Sequence, residues 1–152
     1  MIAPIGRVAL AVLAAIPLSA CTPMPAIFLR GETGGEVTIV IGACGTTPRV
    51  TEIVVDALPR DEGRPRELWR VVSGSDEGQP VREIVLGSSP QGFSATRDEL
   101  GRLDETRVSL GVTYGGPDDE GSWTFDRLPQ PGEVLGPEGV LEDEEAVRDV
   151  GC

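Results

Sequence analysis

Val108-Ser109-Leu110-Gly111-Val112-Thr113-Tyr114 is the stretch on which the fold reading turns. Successive side chains of a strand point to opposite faces, so Val108, Leu110, Val112 and Tyr114 share one face while Ser109, Gly111 and Thr113 share the other. Apolar on one side and small or polar on the other is the signature of a strand with one face on a core. Working outward, similar β-rich runs occupy residues 37–41, 50–56, 67–72, 81–86, 122–126 and 133–135, separated by Gly, Pro and Asp turns. The run 37–41 is apolar at nearly every position, as expected of a central strand covered on both faces. About seven short strands in roughly 115 residues predict a mostly β domain, a single antiparallel β-sandwich of immunoglobulin-like architecture. Trp69 and Trp123 are the large side chains expected to fill its core.

Two stretches carry helix signals. Residues 94–103 place Thr96 and Glu99 at capping-box spacing with Gly101 beyond, so one or two short helical turns are expected there. Residues 142–149 place acids in a first turn, Arg148 near the end and Gly151 after it, which suits the helix dipole. Residues 22–35 are broken by Pro and Gly and read as a flexible tether. Within it, Ile27-Phe28-Leu29 is expected to form a first edge strand packed on the domain rather than to rest on lipid. The sandwich domain itself is expected over residues 36–152.

The N-terminus points to an address. Arg7 precedes an apolar run from Val8 to Ile16, and the run ends in Pro17-Leu18-Ser19-Ala20-Cys21. A membrane-spanning helix needs about 20 apolar residues, and this run meets Pro17, Pro23 and Pro25 too soon. Ordinary signal-peptide cleavage wants small residues at −3 and −1; cutting after Ala20 leaves Leu18 at −3, and cutting after Ala26 leaves Met24 there. Leu18-Ser19-Ala20-Cys21 resembles the lipobox of bacterial lipoproteins. The resemblance implies that residues 1–20 are a lipoprotein signal peptide and that Cys21 begins the mature chain. It also implies a diacylglyceryl thioether on Cys21, which holds the protein on the extracytoplasmic face of the cell membrane without spanning it. A secreted chain with an incidental cysteine is the rival reading.

If Cys21 is lipidated, Cys44 and Cys152 remain, in a compartment where disulfides persist. Their expected role is a structural disulfide joining the last residue of the chain to the end of an early strand. A redox or metal-binding pair is the alternative, and the chain offers it neither CxxC nor His.

Composition narrows the function classes. The net charge is −12, and losing residues 1–20 removes Arg7 but no acid. Such a surface repels phosphate backbones, so nucleic acid is not an expected partner, and anionic lipid headgroups repel it as well. All 13 basic residues are Arg, and the sequence contains no Lys, His or Asn. That bias, with 20 Gly and 13 Pro, matches a GC-rich bacterial genome. A looser likeness runs through Ile84-Val85-Leu86-Gly87, Pro90-Gln91-Gly92-Phe93, Phe125, Leu128 and Pro131-Gly132-Glu133-Val134. It resembles small envelope proteins of actinobacteria and implies a secreted β-domain, with turn and core residues but no catalytic residue to carry over.

Without His there is no Ser-His-Asp, Cys-His or HExxH arrangement. Without Lys there is no SxxK motif, Schiff-base lysine or P-loop. No catalytic, cofactor-binding or metal-ligating residue is therefore singled out, and no cofactor is expected. Asp-Glu-Gly recurs at 61–63, 76–78 and 119–121. Acidic loops can bind Ca²⁺, but the motif departs from EF-hand spacing, and Asp and Gly at these places are ordinary turn chemistry. Arg60, Arg64 and Arg66 lie among Asp61, Glu62 and Glu67, which reads as local charge balance more readily than as an anion grip. The expected protein is a membrane-anchored lipoprotein whose domain is a non-catalytic interaction module for an unidentified envelope protein. A wall-glycan or small-molecule binder is the first alternative, with 4% aromatic residues against it. A hydrolase built on a carboxylate pair is the second.

Overall fold

The computed structural model describes residues 25–42, 47–59, 63–100, 107–115 and 119–141. Among them the chain forms β1 (Ala26–Gly31), β2 (Val37–Gly42), β3 (Arg49–Leu58), β4 (Arg66–Ser73), β5 (Gln79–Pro80), β6 (Glu83–Val85), β7 (Phe93–Asp98), β8 (Arg107–Tyr114), β9 (Glu120–Phe125), β10 (Val134–Gly136) and β11 (Gly139–Leu141). One sheet has the order β11-β10-β1-β2-β6 and the other β7-β4-β3-β8-β9, with β5 pairing on β3. Every pairing is antiparallel.

The alternation read in β8 places its apolar set inward. Val108, Leu110, Val112 and Tyr114 are buried, while Ser109, Gly111 and Thr113 are half-exposed. They join one core with Ile27, Leu29, Ile39, Ile41 and Ile84 of the first sheet and Ile53, Val55, Trp69, Val71 and Phe125 of the second. A single core fed by two sheets is what makes the arrangement sandwich-like.

Bulges reconcile β3 and β4 with that core. Val50 and Ile53 are both buried although three positions apart, which simple alternation forbids. A register shift against β8 between Val50 and Glu52 absorbs Thr51, whose Oγ1 donates to the Thr113 carbonyl at 3.0 Å. A second shift, against β4, leaves Leu68 without a partner, so Leu68 and Trp69 are both buried despite being adjacent.

The run 37–41 becomes β2, flanked by β1 and β6 and apolar on both faces. Ile39 and Ile41 face the core, while Val40 packs outside against Phe28 and Val134. The tether expectation is corrected. Residues 26–31 form a strand inside the sheet, not at its edge, with β2 on one side and β10 on the other. Ile27 and Leu29 supply core surface that a free linker would leave in water. Residues 26–31 therefore belong to the folded domain rather than to a tether.

The helical turn expected over 94–103 is corrected in its first half: residues 94–98 belong to β7, bonded to β4, while Leu100 stands in a 3₁₀ turn and residues 101–103 lie outside the described residues. Cross-strand pairing along Val71 and Val72 outweighs a capping-box spacing that lacks an apolar helical face. Residues 142–149 lie outside the described residues. Trp69 is fully buried, whereas Trp123 is only half-buried, because β9 is the last strand of its sheet.

Candidate functional site

Cys21, Cys44 and Cys152 all lie outside the described residues, so the site was sought among the remaining polar side chains. The outer face of the first sheet carries one network. Arg30 on β1 donates from Nε to Glu32 at 2.8 Å and reaches both carboxylate oxygens of Glu83 on β6 at 3.2 and 3.3 Å. Thr38, the buried polar residue of β2, donates its hydroxyl to Glu32 at 2.9 Å. These bonds hold the Glu32 carboxyl below its ordinary range, Arg30 being the larger cause. A grouping so internally satisfied ties three strands together and leaves little capacity for a ligand.

The outer face of the second sheet carries another. Arg70 on β4 donates to Glu52 on β3 and, at 2.6 Å, to Glu67 on its own strand. Arg97 on β7 lies 3.7 Å from Glu67. A third group closes the loop before β10. Arg127 makes a two-bond fork with Glu133 at 2.6 Å each, and Glu133 also accepts the Gln130 N–H at 2.8 Å. Arg127 first, and then the Gln130 amide, bring the Glu133 carboxyl down to about 2.

One carboxyl moves the other way. Asp56 stands on β3 with Glu67 opposite on β4 and Ser109 opposite on β8. Partial burial raises its pKa, and no hydrogen bond or ion pair from a described residue offsets it. This is the nearest approach to the carboxylate pair considered above. It lies on an open sheet face, and Glu67 is already engaged by Arg70. The cavity between the sheets is walled by Leu29, Ile39, Val55, Leu86, Val108, Leu110 and Leu128, all apolar, so it presents no acid to a substrate.

The position of Asp56 has a consequence for stability. A carboxyl whose folded pKa is raised costs stability once ionised, and the cost vanishes when pH falls below the ordinary aspartate range. Asp56→Asn is expected to raise the unfolding midpoint at pH 7.5 and to leave it unchanged at pH 3. Thermal unfolding at both values checks this; destabilisation at pH 7.5 would mean that Asp56 has a stabilising partner.

Of the Asp-Glu-Gly copies, 76–78 is a turn, whereas Glu120 and Gly121 of the 119–121 copy belong to β9, which corrects the turn reading there. Gly78 takes φ +75 and its N–H bonds to the Ser75 carbonyl at 2.9 Å, while Arg49 donates to the carbonyls of Glu77 and Gly78. Asp119 accepts the Tyr114 N–H at 2.7 Å, closing the β8–β9 hairpin. The end of β8 approaches the 76–78 turn: a Cβ on Gly115 would sit 2.4 Å from the Glu77 carbonyl oxygen. Among the described residues, no group of three carboxylates or other ligands is placed to hold a metal ion. Asp61 and Glu62 lie outside the described residues with Arg60, and Arg64 and Arg66 are exposed.

What remains is backbone. Among the described residues the two sheets end in four edges, β11, β6, β7 and β9. Free N–H and C=O groups on such an edge can pair with another chain, and proteins blunt them with short strands, charges, proline or bulges. β6 and β11 are three residues each. β7 carries Arg97 and Asp98, and its register with β4 shifts between Arg70 and Val71. β9 is blunted least: its one charge is Glu120 at the first residue, and residues 121–125, Gly-Ser-Trp-Thr-Phe, are uncharged and in unbroken register with β8. Ser122 and Thr124 are exposed on its outer face. Trp123 lies along the strand over Gly121, where a Cβ would stand 2.1 Å from the ring. Reading the sequence as core-bound Trp missed this edge; the signal available was Gly two residues before Trp in a strand pattern.

Comparison with known proteins adds no constraint. No family model, no curated protein and no solved structure matches the chain.

Proposed function

We propose that this protein is a lipoprotein held on the extracytoplasmic face of the cell membrane through Cys21, and that its domain is a non-catalytic protein-interaction module. The observation that carries the proposal is the spacing between anchor signal and fold. Leu18-Ser19-Ala20-Cys21 stands only five residues ahead of Ala26, where β1 begins. A leader cleaved before Cys21 would thus leave the whole sandwich intact, on a link of at most about 18 Å. The acidic domain would then stand close to the bilayer, with the hairpin joining β1 and β2 at its outward end.

The strand pairing supports an immunoglobulin-like assignment. β1 pairs with β2 and β2 with β6, while β4, β3, β8 and β9 follow one another in the facing sheet. These pairings match part of the Greek-key order of such sandwiches, with β7, β10 and β11 as additions and no further strand beside β6 among the described residues. Domains of this kind engage partners through loops or edge strands and need no ionisable site. The disulfide between Cys44 and Cys152 belongs to the same proposal.

Photo-crosslinking in native membranes, followed by recovery through a tag and mass spectrometry, tests it. Cys21→Ser is the control for location. One reproducible protein partner is expected, and Cys21→Ser should lose both lipid labelling and normal cleavage. Recovery of the chain alone would favour the glycan or small-molecule alternative. Processing and membrane retention of Cys21→Ser like the parent would end the lipoprotein reading.

A further inference from the structure

We infer that the β9 edge is the docking site, and that it takes an extended segment of a partner protein bearing basic residues at its ends, added as a further strand. The inference rests on the reading of the domain as an interaction module and names the surface and the chemistry of what it binds.

Three observations converge on this edge. First, of the two six-residue edges, β7 is bulged against β4 and ends in Arg97 and Asp98, whereas β9 is in unbroken register with β8 and carries its one charge, Glu120, at its first residue. An edge kept open in this way is a liability unless it is used. Second, the edge carries an aromatic anchor. Trp123 is half-buried, packs against the core and has its ring beside Gly121, on the strand to which an added strand would pair. The inward side chains of that strand would cover the ring, while its outward ones would meet Ser122 and Thr124.

Third, the charges select the occupant. Asp119 and Glu120 stand at one end of β9 and Asp126 at the other, Asp126 being engaged by Arg107 at 3.0 Å. A second copy pairing antiparallel about Trp123 would set Glu120 against Asp126 of the other copy. Like charges directly opposed across strands are destabilising, and the net charge of −12 adds a general repulsion between copies. A strand with Arg or Lys at its ends meets the same acids favourably.

The test is amide hydrogen exchange on the full chain with two synthetic peptides at millimolar concentration. One is acetyl-Arg-Thr-Val-Thr-Val-Arg-amide, and the other has Glu in place of both Arg. The basic peptide is expected to slow exchange at alternate amides of residues 121–125 by about fivefold or more, and the acidic peptide to leave them unchanged. The double variant S122K/T124K, which places charge on the exposed face of the edge, is expected to abolish the effect without moving the unfolding midpoint. Equal protection by both peptides, protection on β7 instead, or no protection would each overturn the inference. So would concentration-dependent protection of β9 without peptide, which would make the occupant a second copy. The native-membrane crosslinking separates the two levels. A partner captured there, with no peptide effect on β9, removes this edge and leaves the interaction module standing. No partner there and no peptide effect removes both.

Discussion

Trp69→Ala is expected to destabilise the domain by about 3–5 kcal/mol, enough to consume much of the 5–15 kcal/mol by which domains of this size are folded. The indole is fully buried on β4, opposite Val55, in the core shared by both sheets. Removing it loses the transfer free energy of the ring and leaves a cavity between two hydrogen-bonded sheets that cannot easily collapse. One effect opposes this. The Trp69 Nε1–H is buried with no hydrogen-bond partner among the described residues, and such a donor costs about 1–3 kcal/mol. Relieving it offsets part of the loss, but the cavity dominates. Trp123→Ala should cost distinctly less, since Trp123 is half-buried at the edge. Urea unfolding of the two variants measures the difference; equal costs would mean that Trp69 is not the keystone of the core.

Gly31→Ala is expected to cost about 2–4 kcal/mol, far more than one added methyl normally would. Gly31 ends β1 against the loop that leads into β10. Its N–H donates to the Glu133 carbonyl and its carbonyl accepts from the Gly132 N–H, both at 2.8 Å. A Cβ there would lie 2.0 Å from the Gln130 carbonyl oxygen and 2.7 Å from its carbon. The obstruction is backbone, and that backbone cannot swing aside freely. Glu133 is forked onto Arg127 and caps the Gln130 N–H, so the loop is clamped in place. Either the loop moves and these bonds break, or β1 withdraws from β10. Exchange of the Gly132 and Glu133 amides should rise with the loss of stability. A variant as stable as the parent would mean that the loop has room to retreat.

Much of the fold was legible because its cause is local. The β8 alternation and the doubly apolar β2 run state directly which faces are buried, and the turns between them need Gly, Pro and Asp whatever the fold. Two assignments failed where the cause is not local. Residues 26–31 carry Arg30 and Gly31 beside Ile27-Phe28-Leu29, and nothing nearby says that β10, a hundred residues later, will pair with them. Residues 94–98 have no alternating apolar face, since all five are exposed. They are a strand because β4 offers its edge.

The candidate site divides in the same way. The absence of Lys and His, and the likeness of Leu18-Ser19-Ala20-Cys21 to a lipobox, are read residue by residue from the sequence. The openness of β9 is different. An edge is defined by the strand that is missing beside it, and a sequence does not record which strands lie at the ends of a sheet. The composition of residues 121–125 becomes meaningful only once the sheet order has put them outermost. Sequence alone determined the β class and the acidic composition, because each follows from the identity of single residues or their immediate neighbours. The inward place of β1, the lack of a partner for Asp56 among the described residues and the β9 edge that no described strand covers were decided by tertiary structure, because each depends on what distant segments do or do not bring alongside.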